Sequence, residues 1–124
     1  MDVAMVRHKL QEEFYTDEGC FIQELWNNGE DEGVSVARAR VAPGVTTAWH
    51  RLRGAWERYI IMAGTGAAEV GGLAPAPVTP GDVVVIPPGV PQRITNTGTE
   101  DLIFLCVCTP RFTPERYEPA VALA

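Results

Sequence analysis

The chain has 124 residues, 46% of them apolar and 21% charged, which excludes a disordered polypeptide and suits one domain around a single core. Its formal net charge of -6, with no basic block, argues against nucleic acid or an anionic membrane as partner. The first residues lack a basic-then-apolar signal and no apolar run approaches the roughly 20 residues of a membrane span, so a soluble cytoplasmic protein is expected.

Twelve glycines and ten prolines punctuate short apolar runs, the look of an all-β chain rich in turns. Residues 1–19 are polar and mixed, and read as an N-terminal arm. Cys20–Trp26 is the first strand candidate, ended by Asn27-Asn28-Gly29. Val34–Val41 alternates, with Val34, Val36, Arg38 and Arg40 on one face and Ser35, Ala37, Ala39 and Val41 on the other. Ala48–Leu52 and Trp56–Met62 are strands around Arg53-Gly54, and a hairpin at Ala63–Gly66 leads into Ala67–Val70. Pro75–Pro80 reads as a loop. Val83–Ile86, an unbroken β-branched run, predicts a strand buried on both faces. Gln92–Thr95 and the apolar Leu102–Cys108 complete the set. In the tail, residues 109–124, Thr113-Pro114-Glu115 predicts the start of a short helix, with Thr113 as cap.

About eight short strands without a helical period predict a sandwich or barrel. Two patterned stretches narrow the choice: Gly44-x5-His50-x-Leu52-x4-Glu57-x6-Gly64, and Gly81-x5-Pro87-x-Gly89-x2-Gln92-x3-Asn96. Both resemble the signature motifs of the cupin superfamily. The resemblance implies a single-domain jelly-roll barrel over residues 20–108, a homodimer paired through a sheet, and a small-molecule ligand in the barrel mouth. It also implies a divalent metal (Mn, Zn, Ni or Mg) held in the usual pattern by His, His, Glu and His. This chain has His50, Leu52, Glu57 and Gln92 at those places.

Period-two geometry puts His50 and Leu52 on one strand face, Glu57, Tyr59 and Ile61 on another, and Gln92 and Ile94 on a third. The metal candidates are thus His50, Glu57 and a weak third, Gln92, with Leu52, Tyr59 and Ile94 as pocket candidates. One imidazole, one carboxylate and one amide do not make the two-histidine facial site of iron oxygenases, and would hold Mn, Mg or Zn weakly. Three readings stay open. A metal with water in the vacant positions would act on a small carboxylate or carbonyl compound. A metal-free barrel would bind or sense a small molecule, the three polar groups bonding one another. A His50–Glu57 pair would serve as a metal-independent base for an isomerase or lyase.

Other candidates are weaker. Arg38 and Arg40 have the forked geometry for a carboxylate substrate, against a plainer role on a solvated outer face. Trp49, Trp56, Arg58 and Arg93 alternate away from the inferred ligands and suit packing or dimer contact. His8 lies in the arm. Cys106 and Cys108, two apart on a strand, share a face and with Cys20 read as small buried apolar residues.

Overall fold

The computed structural model describes residues 3–9 and 12–121. Eleven strands follow in chain order: β1 (Phe14–Tyr15), β2 (Phe21–Trp26), β3 (Ser35–Val41), β4 (His50–Leu52), β5 (Trp56–Ala63), β6 (Gly66–Val70), β7 (Ala76–Val78), β8 (Val83–Ile86), β9 (Gln92–Asn96), β10 (Leu102–Thr109) and β11 (Tyr117–Pro119). They form a six-stranded sheet, β1-β2-β3-β10-β5-β8, and a five-stranded sheet, β11-β4-β9-β6-β7. All strand pairings are antiparallel. This is the all-β jelly roll expected from the motifs. No helix among the described residues is long and apolar enough to cross a membrane.

The alternation of each strand explains the two-layer packing. Along β10 buried and half-buried residues alternate without a break, so Leu102, Phe104, Cys106 and Cys108 face inward. On β3 the inward set is Ser35, Ala37, Ala39 and Val41, the face expected from the sequence. Ile61, Ile86, Phe104 and Leu102 from one sheet meet Ala68, Val78 and Ile94 from the other in a continuous core. Each large side chain buried there contributes about 1.5–3 kcal/mol of transfer free energy. The four motif glycines, Gly44, Gly64, Gly81 and Gly89, all have positive φ.

Four differences from the sequence reading have physical causes. The Pro75–Pro80 stretch holds a strand, β7, at the end of the five-stranded sheet, where Pro77 needs to offer no hydrogen to a further neighbour. The sheets reach beyond residues 20–108: β1 in the arm pairs with β2, and β11 in the tail pairs with β4. The predicted helix at Thr113 is a single 3-10 turn, Pro114–Arg116, which Thr113 precedes without a side-chain cap bond. Finally, β8 is buried on one face only. Val83 and Val85 are 54% and 52% exposed, because no element among the described residues covers the outer side of β8, which is also a sheet edge.

Candidate functional site

A cavity of about 300 Å³ opens between the sheets. His50 and Leu52 enter it from β4, Glu57 and Tyr59 from β5, and Ile94 from β9, so five of the six sequence candidates line it. Gln92, on β9, is fully buried but is not a lining residue. Its neighbours explain why. Tyr59 donates its hydroxyl hydrogen to Gln92 Oε1, and Gln92 Nε2 donates to Glu57 Oε1 at 2.7 Å. The amide is spent on both sides behind the cavity wall.

Glu57 is tied again at its other oxygen, where the Cys108 thiol donates to Oε2 at 3.7 Å. Burial, more than anything else, raises the Glu57 carboxyl above its usual value, against a smaller opposing pull from His50 and from the Gln92 bond. The same burial raises the Tyr59 hydroxyl and the Cys106 and Cys108 thiols, and pushes Cys20 up to about 12. The three cysteines therefore sit in the cavity wall as neutral thiols.

His50 is oriented by a residue the sequence reading did not single out. Its Nδ1 lies 2.9 Å from the Ala48 carbonyl oxygen and 3.2 Å from Glu18 Oε2. A carbonyl oxygen can only accept, so Nδ1 carries a hydrogen and, in the neutral ring, Nε2 carries the lone pair. Nε2 has no partner among the described residues, and the ring lines the cavity. Ala48 fixes both members of the pair: its N–H donates to the Glu18 carbonyl at 2.9 Å, while its own carbonyl holds the imidazole. Tyr117 from β11 stacks on the His50 ring at 5.2 Å between centroids. The carboxylate in contact with His50 is thus Glu18, whereas Glu57 bonds Gln92 and Cys108. One signal pointed to Glu18: it continues the cavity-facing parity of Cys20, Ile22 and Glu24 by two residues.

Arg38 and Arg40 do not line the cavity. They pair with Glu13 at 3.3 and 2.7 Å on the outer face, Arg40 also reaching Asp101 at 3.3 Å, and Arg40 holds the Glu13 carboxyl below its usual value. The carboxylate-binding role considered for them is replaced by this outer ion-pair cluster. Arg93 bonds Glu69 and lies over Trp49. His8 is exposed in the arm and is not a lining residue.

The donor chemistry does not fit the metal of the cupin pattern. Leu52 brings hydrocarbon to one ligand place, and the Gln92 oxygen at another already accepts the Tyr59 hydroxyl. Glu57 is raised by burial and bonded at both oxygens. Among the described residues no three His, Cys, Asp or Glu side chains converge as a metal-binding group. What the arrangement offers is an oriented imidazole from one sheet and a buried carboxyl from the other, lining one mostly apolar cavity.

Comparison with known proteins agrees with this architecture. A cupin domain family model matches residues 37–108. An uncharacterized protein of Methanocaldococcus jannaschii is 33% identical over 107 residues, 85% of each chain. The oxalate-binding protein of Thermotoga maritima is 37% identical over 71 residues, 57% of this chain and 58% of that one. Among solved structures, the Streptomyces nucleoside dehydratase Pac13 superposes with a TM-score of 0.77 over 98% of this chain and 95% of the other, at 13% identity, a likeness of fold.

Proposed function

Because the chain belongs to the cupin family, we propose that its barrel binds a small, largely apolar carbonyl compound and moves a proton on it without a bound metal. The observation that carries this reading is that His50, from β4, and Glu57, from β5, line the same cavity with different partners. The imidazole lines the cavity with its Nδ1 hydrogen engaged and its Nε2 without a partner among the described residues. Glu57 is favoured in its protonated form by burial. Two titratable groups with separated tasks in one mostly apolar cavity are what acid–base catalysis requires.

The chemistry closes on itself. His50 Nε2 takes a proton from the carbon beside the carbonyl, as the Glu57 carboxyl gives its proton to the carbonyl oxygen, leaving an enol, an imidazolium and a carboxylate. Return of a proton from His50 to carbon, with the enol proton going back to Glu57, restores both groups and yields an isomer or an exchanged substrate. Glu18 and the Ala48 carbonyl hold the ring during this cycle, and Gln92 holds Glu57.

The relative that binds oxalate does not extend its ligand to this chain. Oxalate carries two negative charges, and no Arg or Lys lines the cavity. The dimer expected from the resemblance would use the outer face of the six-stranded sheet, where Trp56, Met62, Val83 and Val85 are 43–54% exposed.

The test is deuterium uptake beside the carbonyl of cyclohexanone and acetophenone in D2O, followed by NMR, with elemental analysis of the same preparations. Uptake lost in His50→Ala, at metal contents well below one ion per chain, is the expected result. Close to one metal per chain, removed by His50→Ala, would overturn the metal-free reading, and equal uptake in both proteins would overturn the proton-transfer reading.

A further inference from the structure

The donors and acceptors around Glu57 can be arranged in one direction only. Tyr59, 4% exposed, has a hydroxyl hydrogen to place in the interior, and the Gln92 side-chain oxygen accepts it. That hydroxyl has no other hydrogen-bond partner among the described residues. The amide is thereby fixed: with its oxygen toward Tyr59, Gln92 turns Nε2 to Glu57, 2.7 Å from Oε1. An amide nitrogen only donates, so Oε1 must accept and cannot be the oxygen that carries a carboxyl hydrogen. The hydrogen that burial favours on Glu57 therefore belongs on Oε2, whose neighbour is the Cys108 thiol at 3.7 Å. Glu57 and Cys108 line the cavity and Gln92 does not, so Oε2 is the cavity side of the carboxyl and Oε1 its back.

Turning the amide over would reverse this arrangement. Its oxygen would then accept a carboxyl hydrogen at Oε1, away from the substrate, and after ionisation would face a carboxylate, oxygen against oxygen. Tyr59 opposes the reversal, because its buried hydroxyl hydrogen would be left without an acceptor.

We infer that Tyr59 is a positioning residue for the proton transfer: through the Gln92 amide it assigns the Glu57 proton to Oε2, on the cavity side. This rests on the proton-transfer reading of the site and adds a residue that acts on Glu57 through another side chain. The assignment holds through the cycle. When Glu57 gives up its proton, the same Nε2 hydrogen still points at the carboxylate, so the amide does not rotate between the two charge states. The chain also crosses the barrel, from Tyr59 on β5 to Gln92 on β9 and back to Glu57 on β5, so the packing of the two sheets sets its geometry.

The test is Tyr59→Phe in the full chain, which keeps the ring that lines the cavity and removes the hydroxyl. The first readout is infrared and needs no substrate. It follows the carbonyl stretch of protonated Glu57, identified at about pH 5.5 as the band missing from Glu57→Gln. The band is expected to shift in Tyr59→Phe, because the amide is free to turn and the proton moves to Oε1. Gln92→Leu repeats this test by another route, and the band must move there too, since Oε1 loses its donor. The second readout is deuterium uptake by cyclohexanone, whose kcat is expected to fall about tenfold or more in Tyr59→Phe with KM within about twofold. A fall in kcat with an unmoved band would overturn the inference by showing that Tyr59 meets the substrate itself. A shifted band with unchanged kcat, or no Glu57 band in the wild type, would overturn it as well. No uptake by the wild type would overturn the proton-transfer reading, and the band alone would then decide which oxygen of Glu57 holds the proton.

Discussion

Gln92 joins two buried groups whose needs are opposite. Its oxygen accepts from the Tyr59 hydroxyl and its nitrogen donates to Glu57, so neither group is left unpaired in the interior. The bond to Glu57 does not offset the desolvation of that carboxyl, which is raised from its usual value of 4.5. The sign for stability follows. A raised carboxyl in the folded state binds a proton that the unfolded chain has released, so above pH 4.5 stability falls as pH rises until Glu57 ionises in the folded state too. Glu13 acts in the other direction and in another range. Its carboxyl is lowered by Arg40, so its contribution is present above 4.5 and lost as pH falls through its folded value. Glu57→Gln keeps an acceptor for Gln92 and removes the titration. Urea unfolding from pH 4.5 upward should therefore show wild type losing stability relative to this variant, at no more than about 1.4 kcal/mol per pH unit. Parallel curves for the two proteins would mean that Glu57 is not held protonated by its surroundings.

At the scale of the element, the motif glycines serve two different geometries. Gly64 leaves β5 at φ +83°, and an added Cβ would stand 2.6 Å from the Asp101 carbonyl oxygen. Gly44 has φ +78° but open space around it. Gly64→Ala thus combines backbone strain with a clash against backbone, a loss of about 2–4 kcal/mol. Gly44→Ala carries the strain alone, about 1–2 kcal/mol. Chemical denaturation of the two variants checks the order, and equal losses would show that the β5 turn relaxes freely. Such turns were legible in the sequence because they depend on one residue and its neighbours. The main strands were legible for the same reason, their period of two being written in each segment. β1, β7 and β11 were not, since two- and three-residue strands have too little pattern and exist through partners far along the chain. Glu18 belongs with them: its tie to Ala48 and its contact with His50 span about thirty residues, and only the folded barrel brings them together. The fold of Gln92 away from the cavity was hidden likewise, because its partner Tyr59 is on another sheet.

At the scale of the molecule, the outer face of the six-stranded sheet is more apolar than a lone chain needs. Arg58 pairs in register with Val85, Ile60 with Val83, and on the other side Arg58 with Val107 and Ile60 with Leu105. With Trp56 and Met62 these residues make the β5–β8 half of that face around Arg58, half-buried and bonded to Thr109, while Arg38 and Arg40 charge the β3 side, Arg38 in register with Leu105. The surface runs out to β8, a sheet edge with two exposed valines, which is a feature that soluble proteins normally blunt with charge. A second copy laid on this face would cover Val83 and Val85 and give β8 the two-sided burial its β-branched sequence calls for. A stable interface needs roughly 1,200–2,000 Å² in total, which a sheet face of this kind can supply. Val85→Lys places a charge in the middle of that contact while leaving the core side of β8, Ile86, untouched. Light scattering at about 100 µM should find wild type at twice the chain mass and the variant at the chain mass, with the same β-sheet circular dichroism in both. A monomeric wild type, or a variant that still pairs, would place the apolar face outside any self-association and leave its exposure to be explained by a different partner.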